Sequence, residues 1–429
     1  MLLRALVGYG VGPEALTDMK SFAFIESNTT GSGYQFFQKS LARGYKPVLL
    51  TGNPEKWKGY PIGTRVAKCE TCDLDAIGNV CRQISGLSAI WSSSDGFVAS
   101  AAALAKVFGF CGPEPGAIQA SRNKRHQRTV LQIYGVPQPR YSFLDSEEDA
   151  ARLVANNDIE FPMVVKPSCG TGKVGVRLVT TPCELMDHVR RLASGVIVTG
   201  VETELGFLAE EYIHGDEFSV EVFNESAVAV VRKRNCPPTF LEIGHSCPAG
   251  LSPESDRRVR DCAVAAVSAL GLKWGPAHVE LKLSASGRLA VVEVNPRLAG
   301  GNIPSMVQTA HHLDLVGATL DACLGVTPDL EIKCLCSAAI AFWIPQTAGV
   351  LVGVDGVEDA RRMTGVVDVL IYKSLGDACP LDGTFRQRLG QVLARGETPQ
   401  EAEGNAIAGV SSLRASIKPV IASEPFRGS

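Results

Sequence analysis

Two glutamates and an asparagine near residue 290 form the most informative pattern in the chain. Glu280, Glu293 and Asn295 lie in two alternating segments that flank a turn at Ser284 to Gly287. Because alternate residues of a strand share one face, this pattern predicts a β-hairpin whose glutamates point the same way. Carboxylate and amide oxygens suit Mg²⁺, and Mn²⁺ accepts the same ligands. The sequence therefore predicts a divalent-cation site, although two exposed glutamates on an ordinary hairpin would give the same pattern.

A glycine-rich loop upstream predicts a phosphate-binding hairpin. Segment 161–179, FPMVVKPSCGTGKVGVRLV, combines a strand ending in Lys166, a loop with Gly170, Gly172 and Gly175, and a second strand from Val174 onward. Glycines let a backbone fold closely over phosphates, and the lysine supplies a positive charge. A strand follows the loop, so the segment is neither a P-loop nor a dinucleotide fingerprint. A glycine-rich hairpin turn without a ligand is the alternative.

Three glutamates surround a break between two further predicted strands. Segment 207–223, FLAEEYIHGDEFSVEVF, predicts a strand, a short linker and a second strand, with Glu210, Glu211 and Glu217 around the linker. In that geometry the linker backbone at Tyr212 and Ile213 reads an adenine edge while a carboxylate accepts hydrogen bonds from ribose hydroxyls. An ordinary acidic hairpin is the alternative interpretation.

Taken in this order, the segments resemble the ATP-grasp superfamily from about residue 21 to residue 410. The motifs are SRNKRHQRTVLQIYGVPQP with Lys124, VVKP with Lys166, the glycine-rich loop, EEYIHGDEFSVE, and HVEL with VVEVNPRLAGG. Many members have a serine late in the glycine-rich loop, where this chain has Lys173. Whether Lys173 adds a cation over the phosphates or faces solvent stays open. The resemblance implies an ATP site formed by Lys124, Lys166, Ser168, Gly170, Gly172, Lys173, Glu210, Glu211, Tyr212, Ile213 and Glu217.

The resemblance and the order of elements predict an α/β protein with an ATP-grasp fold of four units. They are an N-terminal Rossmann-like domain at 1–116, a lid subdomain at 117–205, a catalytic antiparallel-sheet subdomain at 206–325 and an appended α/β subdomain at 326–429. SFAFIE, KPVLLTG and SAIWSS read as successive strands of a parallel sheet in the first unit. A helix near 256–270 is expected to pack on the catalytic sheet through Val259, Val264, Val267 and Leu270.

Within the superfamily, four further segments resemble the carboxylate-amine ligases that join amino acids. They are ESNTTGSG near the start, GHSCPA at 244–249, NPRLAGGNIP at 295–304 and the run from Ala348 to Val410. ESNTTGSG follows the first strand, where an α/β sheet offers a ligand crevice. A plain turn with Ser27 or Thr30 as helix N-cap is the alternative. The implied substrate-binding residues are Ser27, Asn28, Thr29, His245, Arg297, Gly300 and Gly301.

Arg297 and His245 are the catalytic candidates. Arg297 follows the metal motif and is expected to stabilise the transferring phosphoryl group or a substrate carboxylate, with a structural salt bridge as the alternative. His245 reads as a loop residue that orients or deprotonates the incoming amine, with a merely exposed histidine as the alternative. His278 is expected to pack in the hairpin.

The implied reaction is acyl activation. Transfer of the γ-phosphoryl group of ATP to a carboxylate gives an acyl phosphate that an amine attacks, with ADP and phosphate released. Two other classes stay open: an ATP-grasp carboxylase or formyltransferase acting on a small metabolite, and a non-catalytic ATP-binding regulatory protein. The complete magnesium set argues against the regulatory class.

Composition agrees with an enzyme of several subdomains. The chain has 429 residues with 45% hydrophobic and 20% charged residues and a formal net charge of −3. Scattered basic residues do not favour nucleic-acid binding, and no apolar run reaches the roughly 18 residues of a membrane span. We expect a cytoplasmic enzyme with amino-acid-like substrates and no nucleic-acid or membrane partner, and a homodimer stays open. Residues 1–18 lack a signal-peptide pattern and are expected to be a dispensable extension.

Overall fold

The computed structural model describes residues 19–29, 31–57, 59–170, 174–194, 206–236 and 239–419. The expected N-terminal extension at 1–18 lies outside these residues, as do Gly172 and Lys173.

The N-terminal unit is a parallel sheet with helices packed against it, as the sequence predicts. Its apolar runs are buried because helices cover the sheet, which is why they read as continuous hydrophobic segments. The strand order is β3-β2-β1-β4, and every pairing is parallel. The elements are β1 (Ser21–Ile25), α1 (Ser32–Ala42), β2 (Lys46–Thr51), a 3₁₀ turn (Pro54–Lys56), β3 (Arg65–Lys68), α2 (Leu74–Arg82), β4 (Leu87–Trp91) and α3 (Val98–Val107).

The second unit is a small antiparallel sheet with its own apolar core. The sheet order is β5-β8-β6-β7, so the strand at 207–211 pairs with the strands of this unit. The second strand of the glycine-rich hairpin begins at Arg177, not at Val174. The elements are α4 (Pro115–Ser121), α5 (Lys124–Ile133), β5 (Tyr141–Leu144), α6 (Glu147–Asn156), β6 (Met163–Pro167), β7 (Arg177–Val179), α7 (Pro182–Ala193) and β8 (Phe207–Glu211).

The third unit supplies most of the large antiparallel sheet. The linker after β8 runs from residue 212 to 215, as the sequence predicts. In α8, Val259 and Val267 are buried as expected, but Val264 is only partly buried, because small residues such as Ala263 and Ala266 face the sheet. The elements are β9 (Asp216–Phe223), β10 (Ser226–Cys236), β11 (Leu241–Cys247), α8 (Pro253–Ala269), β12 (Pro276–Leu283), β13 (Leu289–Asn295), α9 (Ile303–His311) and α10 (Leu315–Cys323).

The C-terminal region extends that sheet instead of forming an isolated layer. Its strands β14, β18 and β16 complete the eight-stranded order β13-β12-β9-β10-β11-β14-β18-β16. A three-stranded sheet of order β17-β15-β19 lies beside it. The elements are β14 (Ser337–Trp343), β15 (Gly349–Asp355), α11 (Val357–Arg362), β16 (Val366–Ile371), β17 (Ala378–Cys379), a 3₁₀ turn (Phe385–Gln387), β18 (Gly390–Gly396), α12 (Pro399–Ser412) and β19 (Arg414–Lys418). Among the described helices, none combines the length and apolar character needed to cross a membrane.

Candidate active site

A cavity of about 680 Å³ lies where all four units meet. Most of the residues that the sequence singles out line it, whereas Ser27, Thr29, Ser168 and His245 are not among its lining residues. The sequence-predicted residues that line it are Asn28, Lys124, Lys166, Gly170, Glu210, Glu211, Tyr212, Ile213, Glu217, Glu280, Glu293, Asn295, Arg297, Gly300 and Gly301.

The predicted carboxylate hairpin is formed by β12 and β13. Glu280 stands directly opposite Glu293 in the antiparallel register, and Asn295 stands opposite His278. Directly opposed residues of a sheet point to the same face, so both carboxylates face the cavity. Asn295 follows Glu293 by two positions and therefore shares that face. This set of oxygen donors fits a hard divalent cation.

Lys233 is a central residue that the sequence reading missed. Its side chain is almost completely buried, and its ammonium group contacts Glu280 at 2.6 Å, Glu242 at 2.9 Å and Glu217 at 3.3 Å. Burial by itself lowers the pKa of Lys233, but the three carboxylates raise it well above the ordinary value. Lys233 therefore stays charged. It links Glu217, predicted to bind ribose, and Glu280, predicted to bind the metal, to Glu242.

His278 does more than pack in the hairpin. Its Nδ1 lies 2.8 Å from Glu221 Oε1, and its Nε2 lies 3.3 Å from Glu280 Oε1. Ser219 Oγ also donates to Glu221 at 3.0 Å. Burial opposes protonation, but the neighbouring carboxylates raise the pKa of His278 to about 9. The resulting imidazolium donates to both carboxylates and fixes the orientation of Glu280.

Lys124 and Lys166 enter the cavity from α5 and β6. Lys124 Nζ lies 3.0 Å from Glu293 and donates to the Gly170 carbonyl at 3.0 Å. The Lys124 backbone N–H also donates to the Ser168 carbonyl, which ties the start of α5 to the glycine-rich loop. Burial lowers the pKa of Lys124, but Glu293 reverses the shift and raises it. Burial lowers the pKa of Lys166, a shift that Glu210 opposes.

Glu210 and Glu211 are already held by cations at the end of β8. Glu210 lies between Arg128 and Lys166, with 2.7 Å contacts to both, and all three side chains are buried. Burial would raise the pKa of Glu210, but the two cations lower it to about 2. Arg288 Nη2 donates to Glu211 Oε2 at 2.7 Å, and this hydrogen bond is the main cause that lowers the pKa of Glu211 to about 2. These ion-paired carboxylates fix the end of β8, directly before the cavity-lining residues Tyr212 and Ile213.

Arg297 forms a salt bridge with Asp95, as the alternative interpretation predicted, and it also lines the cavity. Its guanidinium engages both carboxylate oxygens of Asp95, with Nη2 donating to Oδ2 at 2.7 Å. Burial lowers the pKa of Arg297, but Asp95 raises it. The guanidinium is thus a permanently charged group fixed toward the cavity by a residue of the N-terminal unit.

The prediction that His245 lies in a loop is wrong. His245 belongs to β11 and is fully buried, because the segment pairs with β10 and β14 on both sides. Its ring meets Phe342 edge-on at 5.3 Å, and its Nε2 lies 3.7 Å from Glu242. A side chain at Gly301, where φ is +60°, would come within 2.7 Å of that nitrogen. His245 therefore supports the Gly301 loop and Glu242 from behind the cavity wall.

Only part of the predicted substrate loop faces the cavity. Asn28 lines it, and its backbone and side-chain N–H groups both donate to Ser93. Ser27 is buried and accepts a hydrogen bond from Ser93, and Thr29 is exposed without lining the cavity. The N-cap of α1 is Gly31 rather than Ser27, so the turn alternative is wrong for Ser27. Thr30 lies outside the described residues.

Several cavity residues had no place in the sequence reading. Asp95 follows the strand β4, and the ligand crevice at the carboxyl ends of parallel strands is the signal that points to it. Glu242 lies beside the GHSCPA motif, which offered a weaker signal. Lys373, Arg386 and Arg388 come from the C-terminal region, where no motif for a cavity residue was apparent.

Family comparisons agree with this geometry. Residues 159–305 match the ATP-grasp domain, and residues 341–418 match L-amino acid ligase C-terminal domain 2. An uncharacterized protein, y4rH, of Sinorhizobium fredii is 30% identical over 415 residues, which cover 95% of this chain and 85% of that protein. The chain belongs to the ATP-grasp superfamily. The expected amino-acid ligase group is confirmed by the C-terminal match, and with it the enzyme class that forms carbon–nitrogen bonds.

One further relative and one solved structure show how far the similarity of this ATP-grasp ligase to known ligases extends. Alanine–anticapsin ligase of Bacillus subtilis is 25% identical over 268 residues, which cover 58% of this chain and 56% of that protein. The chain thus spans little more than half of that relative. A crystal structure of L-amino acid ligase from Bacillus licheniformis superposes with a TM-score of 0.79 at 23% identity, covering 93% of this chain and 99% of that one. At that identity the superposition confirms the fold alone.

Proposed function

We propose that this ATP-grasp ligase joins a carboxylate to an amine of amino-acid-like substrates through an acyl phosphate, releasing ADP and phosphate. The observation that carries the proposal is the opposed pair of Glu280 and Glu293 in the same cavity as Lys124, Lys166 and Arg297. Phosphoryl transfer needs positioning and neutralisation of charge more than covalent help from the protein. This cavity gathers the required cations and anions around one space.

Glu280, Glu293 and Asn295 would hold the magnesium ion. The donor set fits because all three oxygen-bearing side chains share one face, which also lines the cavity. When bound, the ion supplies charge neutralisation at the phosphates of ATP. Lys233 and His278 keep Glu280 ionised and oriented before any cation arrives, since both donate to its carboxylate. The pKa of Glu280 lies well below its ordinary value, because these cations outweigh the effect of burial.

The protein side chains divide the remaining work. Lys124 and Lys166 neutralise phosphate oxygens. The guanidinium of Arg297 binds the transferring phosphoryl group or the substrate carboxylate. The carboxylate oxygen attacks the γ-phosphorus and ADP leaves. The amine nitrogen then attacks the acyl carbon, the carbon–oxygen bond to phosphate breaks, and the amine gives up a proton.

The adenosine side of the cavity would be formed by the linker after β8 and by Glu217. Tyr212 and Ile213 line the cavity at this linker, whose backbone would contact an adenine edge. Glu217 lines the cavity too and accepts a hydrogen bond from Asn235 at 2.6 Å. Its remaining acceptor sites suit ribose hydroxyls.

The C-terminal region favours a ligase over a carboxylase or formyltransferase. Residues 341–418 match a domain named for L-amino acid ligases, and this region supplies Arg388 to the cavity. The name of alanine–anticapsin ligase also describes joining an amino acid to a partner. The proposed substrates are therefore amino-acid-like, while a cytoplasmic location and a homodimer remain predictions.

An ADP-release screen tests the proposal directly. Amino acids are supplied singly and in pairs with ATP and Mg²⁺, and we expect release of ADP to require a pair. A carboxylate substrate labelled with ¹⁸O should transfer label to phosphate, because the bridging oxygen of the acyl phosphate comes from the carboxylate and leaves with phosphate when the amine attacks. Dependence on bicarbonate or formate would support the carboxylase or formyltransferase class instead. Formation of AMP, or unlabelled phosphate, would overturn the acyl-phosphate route.

A further inference from the structure

One lysine lies between a side chain proposed to bind ribose and a side chain proposed to bind magnesium. Lys233 of β10 stands directly opposite Glu217 of the neighbouring strand β9. Its ammonium group also reaches Glu280 of β12, one strand further along the same sheet. All three side chains line the central cavity. The proposed ribose and metal sites are therefore linked through Lys233.

Glu280 and Glu242 each have a second donor besides Lys233. Glu280 Oε1 lies 2.6 Å from the ammonium group, and His278 Nε2 lies 3.3 Å from the same oxygen. Both contacts use Oε1, which leaves Oε2 of Glu280 for a cation. Glu242 lies 2.9 Å from the ammonium group and accepts a hydrogen bond from Arg388 Nη2 at 3.1 Å. Neither carboxylate would lose its only donor if Lys233 moved.

Glu217 depends more strongly on Lys233. It is the most distant of the three carboxylates, at 3.3 Å, and among the described residues Lys233 is the only cation within 4.0 Å of it. Its other oxygen accepts a hydrogen bond from the neutral Asn235 amide at 2.6 Å. Ribose bound at Glu217 would displace water from this carboxylate, and a charge removed from water needs a countercharge nearby. Ribose binding therefore becomes more favourable as Lys233 comes closer to Glu217.

We propose that Lys233 couples nucleotide binding to metal binding: when Glu280 binds a divalent cation, Lys233 moves closer to Glu217 and strengthens the binding of ribose there. The inference rests on the ATP and magnesium sites of the proposed function. The direction of the effect follows from Coulomb's law, because a divalent cation neutralises Glu280 and repels the ammonium group at short range. Lys233 is thus a positioning residue, and this coupling adds to the direct contact between a metal ion and the phosphates of ATP.

Adenosine separates this coupling from the contact between metal and phosphate, because it has a ribose but no phosphate. Its affinity for the unmodified protein is measured by calorimetry without a divalent cation and with saturating Mg²⁺, at constant ionic strength. We expect Mg²⁺ to tighten adenosine binding about fivefold, at the lower end of typical coupling between two sites. Linkage requires the reciprocal effect, so adenosine should tighten Mn²⁺ binding by the same factor, which electron paramagnetic resonance measures.

2′,3′-Dideoxyadenosine is the control on the ligand side. It keeps the base but lacks the hydroxyls that would donate to Glu217, so Mg²⁺ should leave its affinity unchanged. This comparison uses only the unmodified protein and does not depend on whether a Lys233 variant folds. An equal effect of Mg²⁺ on the two nucleosides would overturn the coupling through ribose.

Substitution of Lys233 tests the residue itself. In Lys233→Met, with folding checked by thermal unfolding, adenosine should bind equally well with and without Mg²⁺, because no charge links the carboxylates. Lys233→Arg keeps a cation and should retain part of the Mg²⁺ effect. Lys273→Met changes an exposed lysine that does not line the cavity, and it should retain the whole effect. A whole Mg²⁺ effect in folded Lys233→Met would overturn the role of Lys233.

The same measurements separate this inference from the proposed function. If adenosine and Mn²⁺ bind independently of each other, the coupling alone is overturned, because ADP release in the amino-acid screen still reports the ligase. If neither adenosine nor Mn²⁺ binds and no pair of amino acids releases ADP, the proposed nucleotide and metal sites themselves are overturned.

Discussion

Asp95 and Arg297 form a two-point ion pair between the end of a parallel strand and the end of the catalytic hairpin. Both guanidinium donors of this pair reach the carboxylate, and Arg297 also donates to the Leu298 carbonyl at 2.8 Å. A bidentate pair fixes orientation as well as charge. The N-terminal unit therefore aims an arginine of the catalytic unit at the cavity, although the two residues are 202 positions apart in the chain.

Asp95→Asn should reduce turnover more than nucleotide affinity. The variant removes the charge that orients Arg297, and a charge-assisted hydrogen bond is worth about 1.5–3 kcal/mol, so kcat should fall by about tenfold or more. KM for ATP should change by less than about threefold, since the phosphate lysines are untouched. Asp261→Asn, at an exposed position of α8, is the matched control. A kcat for Asp95→Asn within twofold of the control would refute the orienting role.

Glu293→Gln should abolish ADP formation while the protein still folds. The substitution removes one anionic ligand of the proposed magnesium site, so the loss falls on phosphoryl transfer first. Losing the ion pair with Lys124 should cost about 1–3 kcal/mol of unfolding free energy, which a folded domain tolerates. ADP release across a magnesium titration, together with thermal unfolding, measures both effects.

The matched control is Glu160→Gln, an exposed glutamate that does not line the cavity. If the Glu293 variant released ADP with the same magnesium dependence as the control, Glu293 would not be a ligand of the magnesium ion.

The lowered pKa of Glu210 predicts that the protein loses stability in acid. Its pKa is about 2 in the fold against an ordinary value of 4.5. A depressed folded-state pKa stabilises the protein above about pH 4.5, and the contribution disappears as the pH falls through 2. Its upper bound is about 3 kcal/mol.

Denaturant unfolding of the unmodified protein and of Glu210→Gln between pH 7 and pH 2 measures this contribution. The difference in unfolding free energy should be largest above pH 5 and shrink below it. A difference that does not change with pH would mean that the ion pairs with Arg128 and Lys166 contribute little.

Lys233→Met should destabilise the protein strongly, because it leaves three carboxylates around an uncharged side chain. Breaking a buried ion pair typically costs about 3–5 kcal/mol. Adding Glu242→Gln to Lys233→Met should restore part of that loss, since one of the repelling charges is removed. A double-mutant cycle on the unfolding free energy measures the coupling. Additive losses would show that Lys233 and Glu242 do not stabilise each other despite their 2.9 Å contact.

The hairpin and the parallel sheet were readable from the sequence because each depends on local pattern. Alternation set the register that opposes Glu280 to Glu293, and apolar runs between helical segments predicted β1, β2 and β4. The loop position of His245 was wrong for the same reason. The segment EIGHSCPAG at 242–250 was interpreted as a loop, but strand pairing with β10 and β14 places His245 inside the sheet.

The sequence by itself determined the ATP-grasp family and the ligase class, since both follow from short motifs in a fixed order. Only the tertiary structure decided which charges meet. Lys233 reaches Glu280, Asp95 reaches Arg297, and Arg388 reaches Glu242 across separations that no periodicity encodes. Electrostatic interactions depend on distance in space and on burial, and folding alone sets both.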